Sequence, residues 1–297
     1  MTDYLLLAFS VCITLTYCII RNNISKKHIK NRADLQLFNA VSSAASAVLL
    51  IVFALVTGAA APSPYTIILG VVFGVFTAVQ SLTHMQALKI GPLSYTALIV
   101  AAAMLIPAFS GPFLFDESVT WVKYIGAALM AVCIVLSVIN TGGDSKKATF
   151  KWLILSVASM LFSGFIGILQ KVHQSSDFKS ELIGFLVVAF CVSELYSVCL
   201  TLYYSKAKGE CPTLRMDLKS LILPFAVTVG IFVALANQIN LYLSGVMDAI
   251  IFFPVVNGAG LILSIAVSAF LLKERLTPVR WCGIAVGTLA IFVLCLF

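Results

Sequence analysis

The chain has 297 residues, of which 61% are hydrophobic and only 10% charged, and it carries a formal net charge of +7. A soluble domain keeps about a quarter of its residues charged, so this composition excludes a soluble globular fold and puts much of the surface in lipid. The basic excess lies in short loops between apolar stretches, which excludes a nucleic-acid-binding face as its source.

Ten apolar stretches follow in order, most near the roughly 20 residues that cross a bilayer as helix. The first, 4–20, reads as a retained span, because Asp3 replaces a basic leader and no small-residue cleavage site precedes Arg21. The second covers 35–57 and the third 65–88. On the third, Gly70 and Gly74 permit a close helix crossing, while Gln80 and His84 fall on one face. The fourth, 93–114, contains Pro107, which removes a backbone hydrogen bond and predicts a kink. The fifth is 119–139. The sixth, 151–172, ends at Lys171 and His173, whose expected place is the headgroup layer. The seventh, 181–204, carries Glu194 near its middle. A carboxyl at that depth is expected to face a cavity or a partner and is the candidate coupling group; the alternative is a protonated interhelical hydrogen bond. The eighth, 218–243, carries Asn237 and Asn240, and the ninth, 248–272, carries Asn257 and Pro254, which predicts a second kink. The tenth, 279–297, has Gly283 and Gly287, a second small-residue face that could serve a dimer contact. The candidate cavity residues are therefore Gln80, His84, Glu194, Asn237, Asn240 and Asn257, with interhelical packing as the competing reading of each. Tyr4, Tyr65, Trp121, Trp152, Tyr203, Tyr204 and Trp281 sit near span ends and read as an interfacial belt.

A shift of 157 residues superposes Phe115–Gly126 on Leu272–Gly283. Glu117/Glu274, Thr120/Thr277, Val122/Val279 and Gly126/Gly283 are then identical, and Gln80 falls on Asn237. Residues 1–145 and 146–297 thus read as two five-span copies. Five is odd, so the second copy enters the membrane from the opposite side, which makes an inverted repeat. Charge agrees: Arg21, Lys26, Lys27, Lys30, Arg32, Lys89, Lys146, Lys147, Lys151, Lys206, Lys208, Arg215, Lys219, Lys273, Arg275 and Arg280 all fall in odd-numbered loops. Only Lys123, Lys171 and Lys179 fall in even-numbered ones. The positive-inside rule makes the odd loops cytoplasmic and both termini non-cytoplasmic. The expected fold is all-α and membrane-embedded, with ten helices in two inverted repeats around a central cavity.

Two five-span halves, each with a Glu-x-x-Thr-x-x-x-x-x-Gly turn at Glu117–Gly126 and Glu274–Gly283, resemble the drug/metabolite transporter superfamily and its EamA-type branch. The resemblance covers essentially the whole chain. It implies a cavity lined mainly by spans 1, 3, 4, 6, 8 and 9, alternating access, and export of amino acids, other metabolites or toxic compounds across the cell membrane. The small multidrug members carry an acid in their first span, whereas spans 1 and 6 here have none at mid-depth, so that coupling scheme does not transfer.

The expected function is therefore secondary transport of a small metabolite, amino acid or amphipathic drug-like compound, in the export direction. Uptake of a sugar or another metabolite is the alternative. A lipid-modifying membrane enzyme is a further one, for which neither H-E-x-x-H nor G-x-S-x-G is present. No catalytic residues, cofactor or metal are expected; the eight cysteines show no C-x-x-C pair, and no Walker-type loop occurs. The expected partners are the solute, a coupling proton or ion, and lipid, with no nucleic acid. The expected state is a monomer or weak homodimer.

Overall fold

The computed structural model describes residues 2–91, 93–138, 149–214, 222–271 and 277–296. Among them every regular element is helical, so backbone donors and acceptors are satisfied within each segment, as hydrocarbon demands. In order they are α1 (Thr2–His28), α2 (Arg32–Thr57), α3 (Pro64–Ile90), α4 (Leu93–Ala101) and α5 (Leu105–Leu114). They continue with α6 (Trp121–Val138), α7 (Phe150–Gln174), α8 (Leu182–Lys208), α9 (Ile222–Val246), α10 (Ala249–Leu271) and α11 (Pro278–Leu296). Six described helices are long and apolar enough to cross a bilayer, with shorter apolar stretches at Leu98–Leu114, Trp121–Leu136, Ala249–Leu263 and Trp281–Leu296.

Two elements differ from the sequence expectation. The fourth span is not one kinked helix: a 3-10 turn, Ala102–Met104, separates α4 from α5. Pro107 lacks the N–H that would reach the carbonyl of Ala103, and the turn tightens where that bond is missing. Pro254 is different, since α10 runs through it without interruption. The first helix also continues beyond its apolar part, to His28, because Ile24 is buried in a cluster with Phe38, Leu214, Ala226 and Val229.

The chain divides into two compact units, and each takes helices from both halves of the sequence. The first comprises Met1–Ala78 and Ser176–Tyr242. Its centre is the pair α2 and α8, which run antiparallel: Arg32, at the start of α2, stacks over Tyr204 late in α8, while Gly184 early in α8 meets Pro62 just past the end of α2. Small residues bring the other helices close. A methyl on Gly74 of α3 would lie 2.7 Å from Val192 Cβ, and one on Gly70 3.0 Å from Val188 Cβ, so only glycine permits α3 to lie on α8. On α2, Ser42 Oγ donates to the Ala226 carbonyl (3.1 Å) and Ser46 Oγ to the Gly230 carbonyl of α9 (2.7 Å).

The second unit comprises Val79–Ser175 and Leu243–Phe297. Here α6 packs along α11, with Gly126 early in α6 against Leu294 late in α11, and Gly287 against Cys133 and Ile262. Gly287 thus faces neighbours within the chain. The α5 and α10 helices pair as well, with Gly111 late in α5 close to Ala249 early in α10. Gly164 and Gly167 of α7 admit Ile106 and Pro107 of α5. Outside these seams large apolar side chains are left exposed, Leu55, Val56, Phe113 and Leu195 among them, which is the pattern of helices solvated by lipid.

Candidate functional site

In the second unit, α3 brings Gln80 to α7. Gln80 Nε2 lies 3.4 Å from Ser159 Oγ, whose hydroxyl in turn lies 3.5 Å from the Gln80 carbonyl. These are long contacts, so the half-buried Gln80 amide keeps most of its hydrogen-bonding capacity. One turn before Ser159, Ser156 is fully buried, and its hydroxyl has no partner among the described residues. A further turn back on the same α7 face, Trp152 donates through Nε1 to Thr96 Oγ1 at 2.7 Å. Trp152 is therefore not part of an interfacial belt: it is buried, and only a glycine at 91 leaves room for its ring. His84 is half-buried one turn beyond Gln80 on α3. Asn257 on α10 is exposed and returns its amide to the Phe253 carbonyl of its own helix at 2.8 Å.

The first unit holds a matching contact. Ser10 of α1 is fully buried and donates to Asn240 Oδ1 of α9 at 2.5 Å. Asn237, one turn earlier, donates to the Val233 carbonyl at 2.9 Å. The contact in the second unit joins an amide of span 3 to a serine of span 6, and this one joins an amide of span 8 to a serine of span 1. The two pairings link corresponding spans, although the 157-residue shift puts Gln80 on Asn237 rather than Asn240 and Ser10 on Gly167. Glu194 on α8 is half-buried beside the exposed residues Cys191, Leu195 and Val198, with no hydrogen bond or ion pair among the described residues. The structure thus joins Gln80 to Ser159 and Asn240 to Ser10, and places Glu194 in neither contact.

A charged cluster in the second unit corrects the expectation for Lys171 and His173. Both are buried rather than at the headgroups. Lys171 Nζ sits 2.6 Å from Glu117 Oε1 and donates to the Met247 carbonyl at 2.7 Å. The other Glu117 oxygen accepts the Ala249 N–H at 2.8 Å. Met247 follows the end of α9 and Ala249 begins α10, so one ion pair caps both helix ends across a tight turn. Asp248 between them pairs with Lys123 of α6 at 2.7 Å. Glu117 reaches this position because Asp116 turns the chain with φ of 50° and because Gly111 has no side chain to block its carboxylate. The repeated motif that the sequence marked only as a fold signature is, in its first copy, a two-ended helix cap. Its second copy at Glu274 lies outside the described residues.

Comparison with known proteins adds a family likeness. Residues 3–139 match the EamA-like transporter family. That match spans a little under half of the chain. Of the solved structures, 29 chains match. One crystal structure superposes with a TM-score of 0.78 at 14% sequence identity, over 99% of this chain and 96% of its own. At that identity the likeness shows the fold alone. No curated protein matches.

The match, together with the apolar helices, indicates a multi-pass membrane protein of the drug/metabolite transporter type. Sequence reasoning found its amides but not Ser10, Ser156 or Ser159. A serine in an apolar span is ordinarily a packing residue, so nothing singled these three out. It also missed that Glu117 and Lys171 are partners. Each was visible as a charge at a span end, but the link between them is made only by folding.

Proposed function

We propose that this EamA-like protein is a secondary transporter of two inverted five-helix repeats, residues 1–145 and 146–297. It moves a small metabolite, amino acid or amphipathic drug-like compound by alternating access, in the export direction of the exporters it resembles. One observation carries the reading: α2 with α8, α5 with α10 and α6 with α11 are the mates of spans 2 and 7, 4 and 9, and 5 and 10, and each pair packs antiparallel. Mates related by an axis in the membrane plane point in opposite directions, whereas parallel repeats would give parallel mates. The amide–serine contacts add support, since spans 3 and 6 and their mates 8 and 1 are each joined by an amide and a serine.

In this reading Gln80, Ser156 and Ser159 in one unit, and Ser10, Asn237 and Asn240 in the other, supply the hydrogen bonds that a solute exchanges for water. His84 adds a titratable group beside Gln80, and Asn257 is an exposed amide that solute can reach. Glu194 is the coupling carboxyl, taking up a proton at one face and releasing it at the other. Pro107 and Pro254 are the bending points of spans 4 and 9, while Gly70, Gly74, Gly283 and Gly287 are contact glycines. The charge distribution supports a cell-membrane protein with both termini outside, as a monomer or weak homodimer.

The test is counterflow in proteoliposomes against a panel of amino acids, nucleosides and cationic dyes, with Gln80→Leu and Asn240→Leu beside wild type. Wild type exchanges at least one compound, and each variant raises its KM while the protein still inserts and unfolds normally. No exchange of any compound, together with termini on opposite faces in a protease-protection assay, overturns the reading. Glu194→Gln is expected to abolish the response of flux to a pH gradient; an unchanged response removes Glu194 from coupling.

A further inference from the structure

One end of the first unit gathers basic side chains from two stretches distant in sequence. After the apolar part of α1 ends at Arg21, the helix continues to His28, and α8 continues past Tyr203 to Lys208. These extensions are stitched together. Asn31 Nδ2 donates to the Cys211 carbonyl at 3.0 Å, Arg32 N–H donates to Glu210 Oε2 at 3.1 Å, and Thr213 N–H donates to Asp34 Oδ1 at 2.6 Å.

The acids of this region are already engaged. Asp34 is fully buried and accepts from the N–H groups of Lys30, Asn31, Thr213 and Leu214 and from the Thr213 hydroxyl. Glu210 is paired with Arg32 at 3.8 Å. Arg21, Lys27, Lys30, Lys206 and Lys208 are all exposed, and none has an ionic partner among the described residues.

From this arrangement we propose that the shelf formed by Arg21, Lys27, Lys30, Lys206 and Lys208 is a binding surface for the phosphodiester headgroups of anionic phospholipids. The depth is what selects lipid over a soluble partner. Headgroups occupy roughly 5–7 Å beyond each side of the hydrocarbon. Lys206 lies one turn past the half-exposed Tyr203, and Lys27 lies about 9 Å along the helix axis from Arg21. Both are within a Debye length of a charged bilayer surface, about 8–10 Å at ordinary salt. Tyr203 supplies the aromatic contact typical of that layer. The positive-inside rule accounts for basic residues in each loop taken alone. It does not require acids to be withdrawn into buried or paired positions, nor two loops to be joined so that five cations keep no ionic partner, Arg21 donating only to the Asn39 side-chain oxygen at 3.1 Å.

The experiment is native mass spectrometry of the full-length protein in detergent, titrated with phosphatidylglycerol and separately with phosphatidylcholine of the same chains. The variant carries K27Q, K30Q, K206Q and K208Q; the control carries K151Q and K179Q. Circular dichroism and a monodisperse elution profile check that each is folded. Wild type and control bind phosphatidylglycerol at least tenfold more tightly than phosphatidylcholine, and raised salt weakens the preference. The fourfold variant loses it, by about fivefold for each lysine removed. The proposal is overturned if wild type does not discriminate between the two lipids, if the fourfold variant keeps the preference, or if inorganic phosphate competes at equal concentration, which would assign the shelf to a soluble anion.

Discussion

Replacing Lys171 by methionine isolates the buried ion pair of the second unit. The side chains of Lys171 and Glu117 are 6% and 8% exposed, so water cannot take over for a missing partner. Methionine matches the stem of lysine but leaves the Glu117 carboxylate with only the Ala249 N–H, and it uncovers the Met247 carbonyl. Breaking a buried pair by removing one member costs about 3–5 kcal/mol, far more than the pair contributes over an apolar substitute. The double variant Glu117→Gln with Lys171→Met is expected to recover most of that loss. The glutamine oxygen still accepts from Ala249, no charge is stranded, and the residual cost is the order of one hydrogen bond, about 1–1.5 kcal/mol. Reversible denaturant titration in mixed micelles, followed by tryptophan fluorescence, reads both variants. A single variant within about 0.5 kcal/mol of wild type, or a double variant no more stable than the single, would refute the two-ended cap.

Four further outcomes are expected. Gly74→Ala drives a methyl to 2.7 Å from Val192 Cβ and is expected to cost about 1–3 kcal/mol in the same titration, while Gly260→Ala, with nothing within 4 Å, is expected to be neutral or slightly stabilising. Asp34→Asn replaces an acceptor of five hydrogen bonds by an amide with one acceptor oxygen, and is expected to lower stability by about 2–3 kcal/mol and speed proteolysis of the 205–214 segment. Trp152→Phe removes the 2.7 Å bond to Thr96 Oγ1 while keeping most of the ring, so a loss of about 1 kcal/mol is expected. Ser10→Ala and Ser159→Ala, each removing the serine of an amide–serine contact, are expected to raise the KM of counterflow by similar factors; an effect confined to one of them would argue that only one repeat meets the solute.

Much of the fold is legible in the sequence because a bilayer constrains length and hydropathy so strongly. The stretches read at 35–57 and 65–88 became α2 and α3 to within a few residues. Pro107 marked the place where span 4 breaks, though not that the break would be a 3-10 turn. What the sequence left hidden is orientation. Lys171 and Trp152 sit near span ends, where a lipid-facing and a bundle-facing side chain look alike in one dimension. Both proved to be buried, Trp152 satisfied by Thr96 of α4 and Lys171 by Glu117 of the loop between α5 and α6. The amides were visible because glutamine and asparagine stand out against apolar neighbours, while Ser10 and Ser156 did not, since serine is a common small packing residue in such helices.

Because each compact unit is assembled from both halves of the polypeptide, α2 is synthesised long before the α8 that it packs against, and α6 long before α11. A nascent chain that has just delivered its fifth helix to the membrane carries grooves shaped by Ser42, Ser46 and Gly126 with nothing yet to fill them. Assembly must therefore wait for the last helix. A gene split between α6 and α7 should yield two fragments that are each degraded when made singly and survive when made together.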